Sequence, residues 1–235
     1  MGTPVLELRD VYAAYGRIEV LHGVDLVVPE GSVVALLGPN GAGKSTAIKI
    51  ASGQMMPTRG CLHVAGKHVN GATPDALSRA GVCTIPEGRG IFPNLTVREN
   101  LRMVTYGGVD EHEVEEIAYS RFPRLGERRH QLAGSMSGGE QQMLSISRAL
   151  ATKPALLMLD EFSMGLAPII VQELYEIVKQ IAQEGVSILL VEQFAHIALS
   201  VADYAAVMTH GKVQAVGQPA DVEAELSGAY LGGVA

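Results

Sequence analysis

GPNGAGKST, running from Gly38 to Thr46, is the stretch that decides the fold. Before it stands an apolar run of strand length, Ser32 to Leu37, and after it a helical pattern from about Lys44 to Ser52. A buried strand, a Gly-rich turn and a helix in that order make the P-loop pattern. The glycines let the backbone wrap closely around phosphates, with successive amides pointing inward. The helix N-terminus adds partial positive charge at the same place. On this reading Gly38, Pro39, Asn40, Gly41, Ala42, Gly43, Lys44, Ser45 and Thr46 bind ATP. Lys44 reaches the β- and γ-phosphates, and the Ser45 hydroxyl coordinates Mg²⁺.

Working outward, the apolar run ALLMLDE ends in Asp160 and Glu161. A buried strand would deliver both carboxylates to the carboxyl edge of a sheet, where open α/β folds bind ligands. Asp160 is then expected in the Mg²⁺ shell, and Glu161 is expected to polarise the attacking water as a general base. Between the P-loop and this acid pair stands Met136-Ser-Gly-Gly-Glu-Gln-Gln142, just before a helical pattern. Ser137, Gly138 and Gly139 open that helix, a second phosphate-binding surface in one chain. One nucleotide cannot easily occupy both. Two chains arranged head to tail would let each serine-glycine turn cap the nucleotide in the other's P-loop.

The rest of the chain fits around these motifs. Val5 to Val11, Val20 to Val28, Cys61 to Ala65, Lys67 to Asn70 and Val82 to Ile85 read as strands. From Gly88 to Lys153 helical patterns dominate: Val97 to Tyr106, Glu111 to Arg121 and Gly138 to Thr152. Strand patterns return at Ala155 to Leu159, Ser187 to Val191, Tyr204 to Thr209 and Lys212 to Val216, with helices near Ile169 to Gln183 and Gln193 to Ser200 between them. The alternation implies a largely parallel, covered sheet.

Composition narrows the function. Of 235 residues, 47% are hydrophobic and 18% charged, which is a globular balance rather than a disordered one. The net charge of −7 and the lack of a basic stretch argue against nucleic acid as a partner. Cys61 and Cys83 lack metal-ligand spacing and read as small buried thiols. No apolar run reaches the roughly 18 to 20 residues needed to span a bilayer, and the N-terminus lacks the features of a signal peptide.

With P-loop, SGGE and LLMLDE in this order, the chain resembles the ATPase subunits of ABC transporters. The resemblance implies an α/β fold: a RecA-like P-loop NTPase core with an antiparallel β subdomain and an inserted helical subdomain. Residues 1–87 and 154–235 would form the core and 88–153 the helical part with the signature Ser137, Gly138, Gly139 and Glu140. Tyr15 lies where the family places an aromatic that stacks on adenine. IPEGRGIFPNLTVRENL, from Ile85 to Leu101, matches the loop that senses nucleotide and abuts the membrane subunits. The partners implied are a second ATPase subunit, identical or different, two membrane permease subunits and, indirectly, a solute-binding protein. The location implied is cytoplasmic, on the inner face of the cell membrane.

Departures from the general pattern point to a subgroup. Glu87, which the resemblance implies at the metal, stands where most members carry a Gln contacting Mg²⁺ and water, and Gln193, implied as catalytic, where most carry a switch His near the γ-phosphate. Ala167 replaces an Asp, and Met136 a Leu. PEGR, MSGGEQQ, GLAP and VEQ together resemble the smaller ATPase subunit of branched-chain amino acid importers. Within that subgroup, Phe162 replaces a usual Pro and Phe194 a usual Asn. Gln can donate and accept hydrogen bonds but cannot carry the charge of a protonated His. Loss of one oriented donor costs about 10² to 10³ in rate, so Gln193 would slow hydrolysis without ending it. Urea or short-amide import, a non-transport ABC ATPase and a nucleotide-binding module with little turnover stay open at this point.

Overall fold

The computed structural model describes residues 2–88 and 90–223, so Arg89 of the PEGR stretch and the core's closing residues 224–235 lie outside it. Strands β1 (Leu6–Tyr15), β2 (Ile18–Val28), β4 (Arg59–Val64) and β5 (Lys67–His68) form an antiparallel sheet in the order β2-β1-β4-β5. Strands β3 (Val33–Leu37), β6 (Val82–Ile85), β7 (Leu156–Asp160), β8 (Ser187–Glu192), β9 (Tyr204–Thr209) and β10 (Lys212–Gly217) form the second sheet, ordered β10-β9-β3-β8-β7-β6. Only the β9–β10 hairpin in it is antiparallel among the described pairs. Every residue of β3, β7 and β8 is buried, as expected of parallel strands covered on both faces.

The helices are α1 (Lys44–Ala51), α2 (Pro74–Arg79), α3 (Val97–Arg102), α4 (Glu111–Arg121), α5 (Pro123–Glu127), α6 (Gly138–Leu150), α7 (Pro168–Gln183) and α8 (Ala195–Val201). The helix expected over Val97 to Tyr106 gives way at Met103 to a 3₁₀ segment that ends at Gly107. The helix expected from Gln193 starts at Ala195. Cys61 and Cys83 are half-buried rather than fully buried.

Apolar packing joins the two halves of the chain. Leu101, Val114 and Leu144 belong to one cluster with Leu157, Leu159 and Leu190 of the parallel sheet. The other face of that sheet packs Leu36, Met158 and Val191 against Leu6, Leu21 and Leu26 of the antiparallel sheet and Ile48 and Ile50 of α1. Several carboxyl strand ends therefore converge on one edge. There β3 runs into Gly38, β7 ends at Asp160, β8 ends at Glu192, and β6 leads through Pro86 to Glu87.

Candidate functional site

The P-loop is shaped by close packing as much as by its own sequence. Gly38 has φ 156°, and a Cβ there would lie 2.1 Å from the Met208 carbonyl oxygen. Gly43, at φ 107°, caps α1, and a Cβ on it would press on Leu21 and Met208 side chains at 2.8 Å. Gly41 faces open space. The loop, together with Val20, Glu87, Glu161 and Met164, lines a cleft of about 360 Å³. Asn40, Gly41, Lys44, Ser45 and Thr46 all line this cleft.

Lys44 is 3% exposed and donates from Nζ to the carbonyls of Gly38 at 2.8 Å and Pro39 at 3.2 Å. Its ammonium stands 4.0 Å from Glu161 Oε1. Burial lowers its pKa, opposed by the carboxylates of Glu161, Asp160 and Glu192. Asp160 is pushed up to about 6, first by burial and then by the negative charges of Glu161 and Glu87. Its Oδ1 is buried without a hydrogen-bond partner. An orphaned carboxylate oxygen close to the P-loop lysine suits a hard cation and its waters, so the residues present fit Mg²⁺.

Glu161 adopts a left-handed backbone, φ 47°, directly after the buried strand. Its amide donates to the Val191 carbonyl at 2.9 Å. Phe162, in the place expected for Pro, is buried at 1% exposure and packs on Tyr175 with ring centroids 6.5 Å apart. The Phe162 carbonyl accepts from Gln142 Nε2 at 2.8 Å, which ties the turn to α6. Gln193 follows β8 directly and is half-buried, whereas His196 is exposed on α8.

Tyr15 stands beside the P-loop helix, and Glu140 is turned into its own chain. Tyr15 is 47% exposed at the end of β1 and is not among the residues lining the cleft. It receives a hydrogen bond from Lys49 Nζ at 3.2 Å, and its hydroxyl is held low by Thr46. Glu140 does not turn outward. It is 6% exposed, accepts from the Ser137 amide at 3.0 Å and hydroxyl at 2.8 Å, and pairs with Arg128 at 3.1 Å. Its part in the signature is to close a reciprocal capping box, the physical sense of a Ser followed three residues later by Glu. Ser137 is exposed, Gly138 half-buried and Gly139 buried, and none of the three lines the chain's own cleft.

Sequence reasoning missed Glu192. It is 1% exposed and accepts from the Ser163 amide and hydroxyl, both at 3.0 Å, and from the Tyr175 hydroxyl at 2.8 Å. Burial raises its pKa. The acidic residue inside the VEQ run was the available signal. Asp203, just before β9, exchanges bonds with Val33: its carboxylate accepts from the Val33 amide at 2.8 Å, and its own amide donates to the Val33 carbonyl at 2.9 Å.

A P-loop on a parallel sheet, an acid pair at the end of a neighbouring strand and a Ser-Gly-Gly helix start with its serine exposed define an ATP-binding cassette. The chain belongs to the ABC transporter family, whose model matches residues 21–163. It is 43% identical to the high-affinity branched-chain amino acid transport ATP-binding protein BraG of Pseudomonas aeruginosa, over 97% of this chain and 100% of BraG. It is 34% identical to the probable branched-chain amino acid transport ATP-binding protein LivF of Archaeoglobus fulgidus, over 86% of each chain. Its fold is similar to the ADP conformation of MJ1267, an ATP-binding cassette of an ABC transporter, with TM-score 0.87 and 26% identity over 97% and 99% of the two chains. Among the described residues, no helix is long and apolar enough to cross a membrane.

Proposed function

We propose that this ATPase powers the import of branched-chain amino acids as a peripheral subunit on the cytoplasmic face of a membrane transporter. The single observation that carries the hydrolytic reading is the placement of Lys44 and Glu161 4.0 Å apart across one cleft lined by the P-loop. The names of BraG and LivF, matched over 100% and 86% of their lengths, support the cargo. The backbone amides of Gly41 and Gly43 and the α1 N-terminus hold the phosphates, and Lys44 exchanges its carbonyl partners for the β- and γ-oxygens. Ser45, Asp160 and Glu87 would hold Mg²⁺, which when bound would neutralise phosphate charge. Glu161 takes the proton of the attacking water as its oxygen bonds the γ-phosphorus and the bond to ADP breaks. Glu87 and Gln193 orient water at either side.

Two subunits close head to tail, with Ser137, Gly138 and Gly139 of each capping the nucleotide of the other. The helical block 88–153 passes that motion from the core, residues 1–87 and 154–235, to two permease subunits. The test is reconstitution with those permeases and the cognate solute-binding protein in vesicles, with labelled leucine, valine and urea. ATP-dependent uptake of leucine and valine, lost in Glu161→Gln, is expected. Uptake of urea alone overturns the cargo, and full hydrolysis by Glu161→Gln overturns the site.

A further inference from the structure

The turn that carries Glu161 is held in a conformation its sequence does not favour. A non-glycine residue at φ 47° is strained and persists only where its surroundings over-determine it. The surroundings are identifiable residue by residue. Glu161 is fixed through its amide to Val191, Phe162 through its carbonyl to Gln142, and Ser163 through both its amide and its hydroxyl to Glu192. The first anchor joins backbone to backbone, and the second is a single bond from the Gln142 side-chain amide. The third is a charged side chain that holds one residue by two bonds.

We propose that Glu192 is a positioning residue for hydrolysis, its buried carboxylate clamping Ser163 and thereby fixing where Glu161 meets the γ-phosphate. The inference rests on the reading of Glu161 as the general base. A carboxylate taken from water and answered by neutral donors is a costly choice for a core position. Leucines and valines fill β8 before it, and an apolar residue there would pack without that cost. What the carboxylate provides is geometry. Oε1 accepts from the Ser163 amide and from Tyr175 on α7, while Oε2 accepts from the Ser163 hydroxyl. Through the backbone, Glu192 pairs with Leu37, the residue before Gly38. It therefore links the strand that delivers the P-loop to the turn that delivers the base, and Gln193 is the next residue along. A displacement of the base by about 1 Å is enough to cost on the order of 10²-fold in rate.

The chemistry of the clamp supplies a discriminating pair of variants. In Glu192→Gln the amide oxygen can replace Oε1, accepting from the Ser163 amide and Tyr175. The amide nitrogen can replace Oε2 and donate to the Ser163 hydroxyl, which then accepts. In Glu192→Ala all three bonds are lost. Steady-state hydrolysis and nucleotide affinity are measured on the full chain for both, beside Glu161→Gln and the double variant Ser163→Ala/Tyr175→Phe, which keeps Glu192 but deprives it of two hydroxyl donors. Expected is a loss in kcat of about 10- to 100-fold for Glu192→Ala with ATP affinity within about threefold of wild type, and recovery of most of that loss in Glu192→Gln. The double variant falls between them, and it carries the test if Glu192→Ala does not fold. Wild-type kcat in Glu192→Ala or in the double variant, or affinity falling in step with kcat, overturns the proposal. So does a Glu192→Gln as slow as Glu192→Ala, since that assigns the effect to charge rather than position. Unimpaired hydrolysis by Glu161→Gln overturns the base reading instead, and the two failures are thereby separate.

Discussion

Lys44 Nζ is shared between the Gly38 carbonyl at 2.8 Å and the Glu161 carboxylate at 4.0 Å. The ammonium thus occupies a place between the loop that would grip phosphates and the acid that would activate water. Glu161→Gln keeps the volume of the side chain but removes its basicity. ATP affinity is expected to stay within a few-fold of wild type while kcat falls by about 10² to 10⁴, the usual contribution of a positioned base. Single-turnover hydrolysis beside equilibrium nucleotide binding checks it, and equal losses in both would point to a binding role for Glu161.

Asp160 illustrates function set against stability. Its carboxyl is raised from 3.8 to about 6, so across that window the folded chain holds the proton more tightly than the unfolded chain. Stability therefore falls as pH rises through the window, and the loss is complete above about pH 6. A shift of this size is worth at most about 3 kcal/mol. Asp160→Asn is expected to melt higher than wild type at pH 7.5 without nucleotide, and to show no such advantage near pH 4. The same variant should lose the Mg²⁺ dependence of ATP binding. Thermal melts at the two pH values, with and without MgATP, decide it.

How much of this was legible in the sequence depended on local chemistry. Strands β6 and β9 were read to the residue because apolar side chains begin and end where the turns do. Strand β1 was read as Val5 to Val11 but runs from Leu6 to Tyr15. The pairing with β2 shifts register between Leu8 and Val11, Asp10 takes φ 46°, and the apolar alternation slips with it. Helix α2 was passed over, although Thr73 caps it and Pro74 occupies its first turn, both readable signals. At six residues it is too short for periodicity to show. The phosphate loop and the acid pair were legible because their residue types and spacing carry the chemistry. Glu192 was not, since its role depends on Ser163 and Tyr175, far from it in the sequence and brought near only by the sheet.

The Gly38 position predicts a failure of folding at the site rather than of chemistry. A methyl group there would meet the Met208 carbonyl oxygen at 2.1 Å, and backbone on β9 cannot yield as a flexible side chain could. Gly38→Ala is expected to displace the loop and cost on the order of 2 kcal/mol or more in stability, with ATP binding lost. Gly41→Ala meets open space but also carries a positive φ of 79°, so it should strain the loop less and retain weaker binding. Denaturant unfolding and nucleotide titration of the two variants give the order.

Ser137 caps α6 through a reciprocal box with Glu140, and it stands outside the cleft of its own chain. Ser137→Ala removes the hydroxyl that accepts from the Glu140 amide and donates to its carboxylate, while the Ser137 amide keeps its bond to Glu140, at a cost of about 1 kcal/mol. For a chain of this size the melting temperature should fall by roughly 2 to 4 °C. Hydrolysis should fall much further, because the nucleotide of the partner would lose its cap. Lys44→Ala is inactive for a different reason, having lost its own phosphate contact. A dimer made of one Ser137→Ala chain and one Lys44→Ala chain keeps one complete site: the first chain's Lys44 with the second chain's Ser137. Mixing the two inactive proteins is therefore expected to restore hydrolysis in proportion to the mixed dimers formed. If each chain instead used its own Ser137, no mixture would contain an intact site, and the activity would stay at the level of the separate variants.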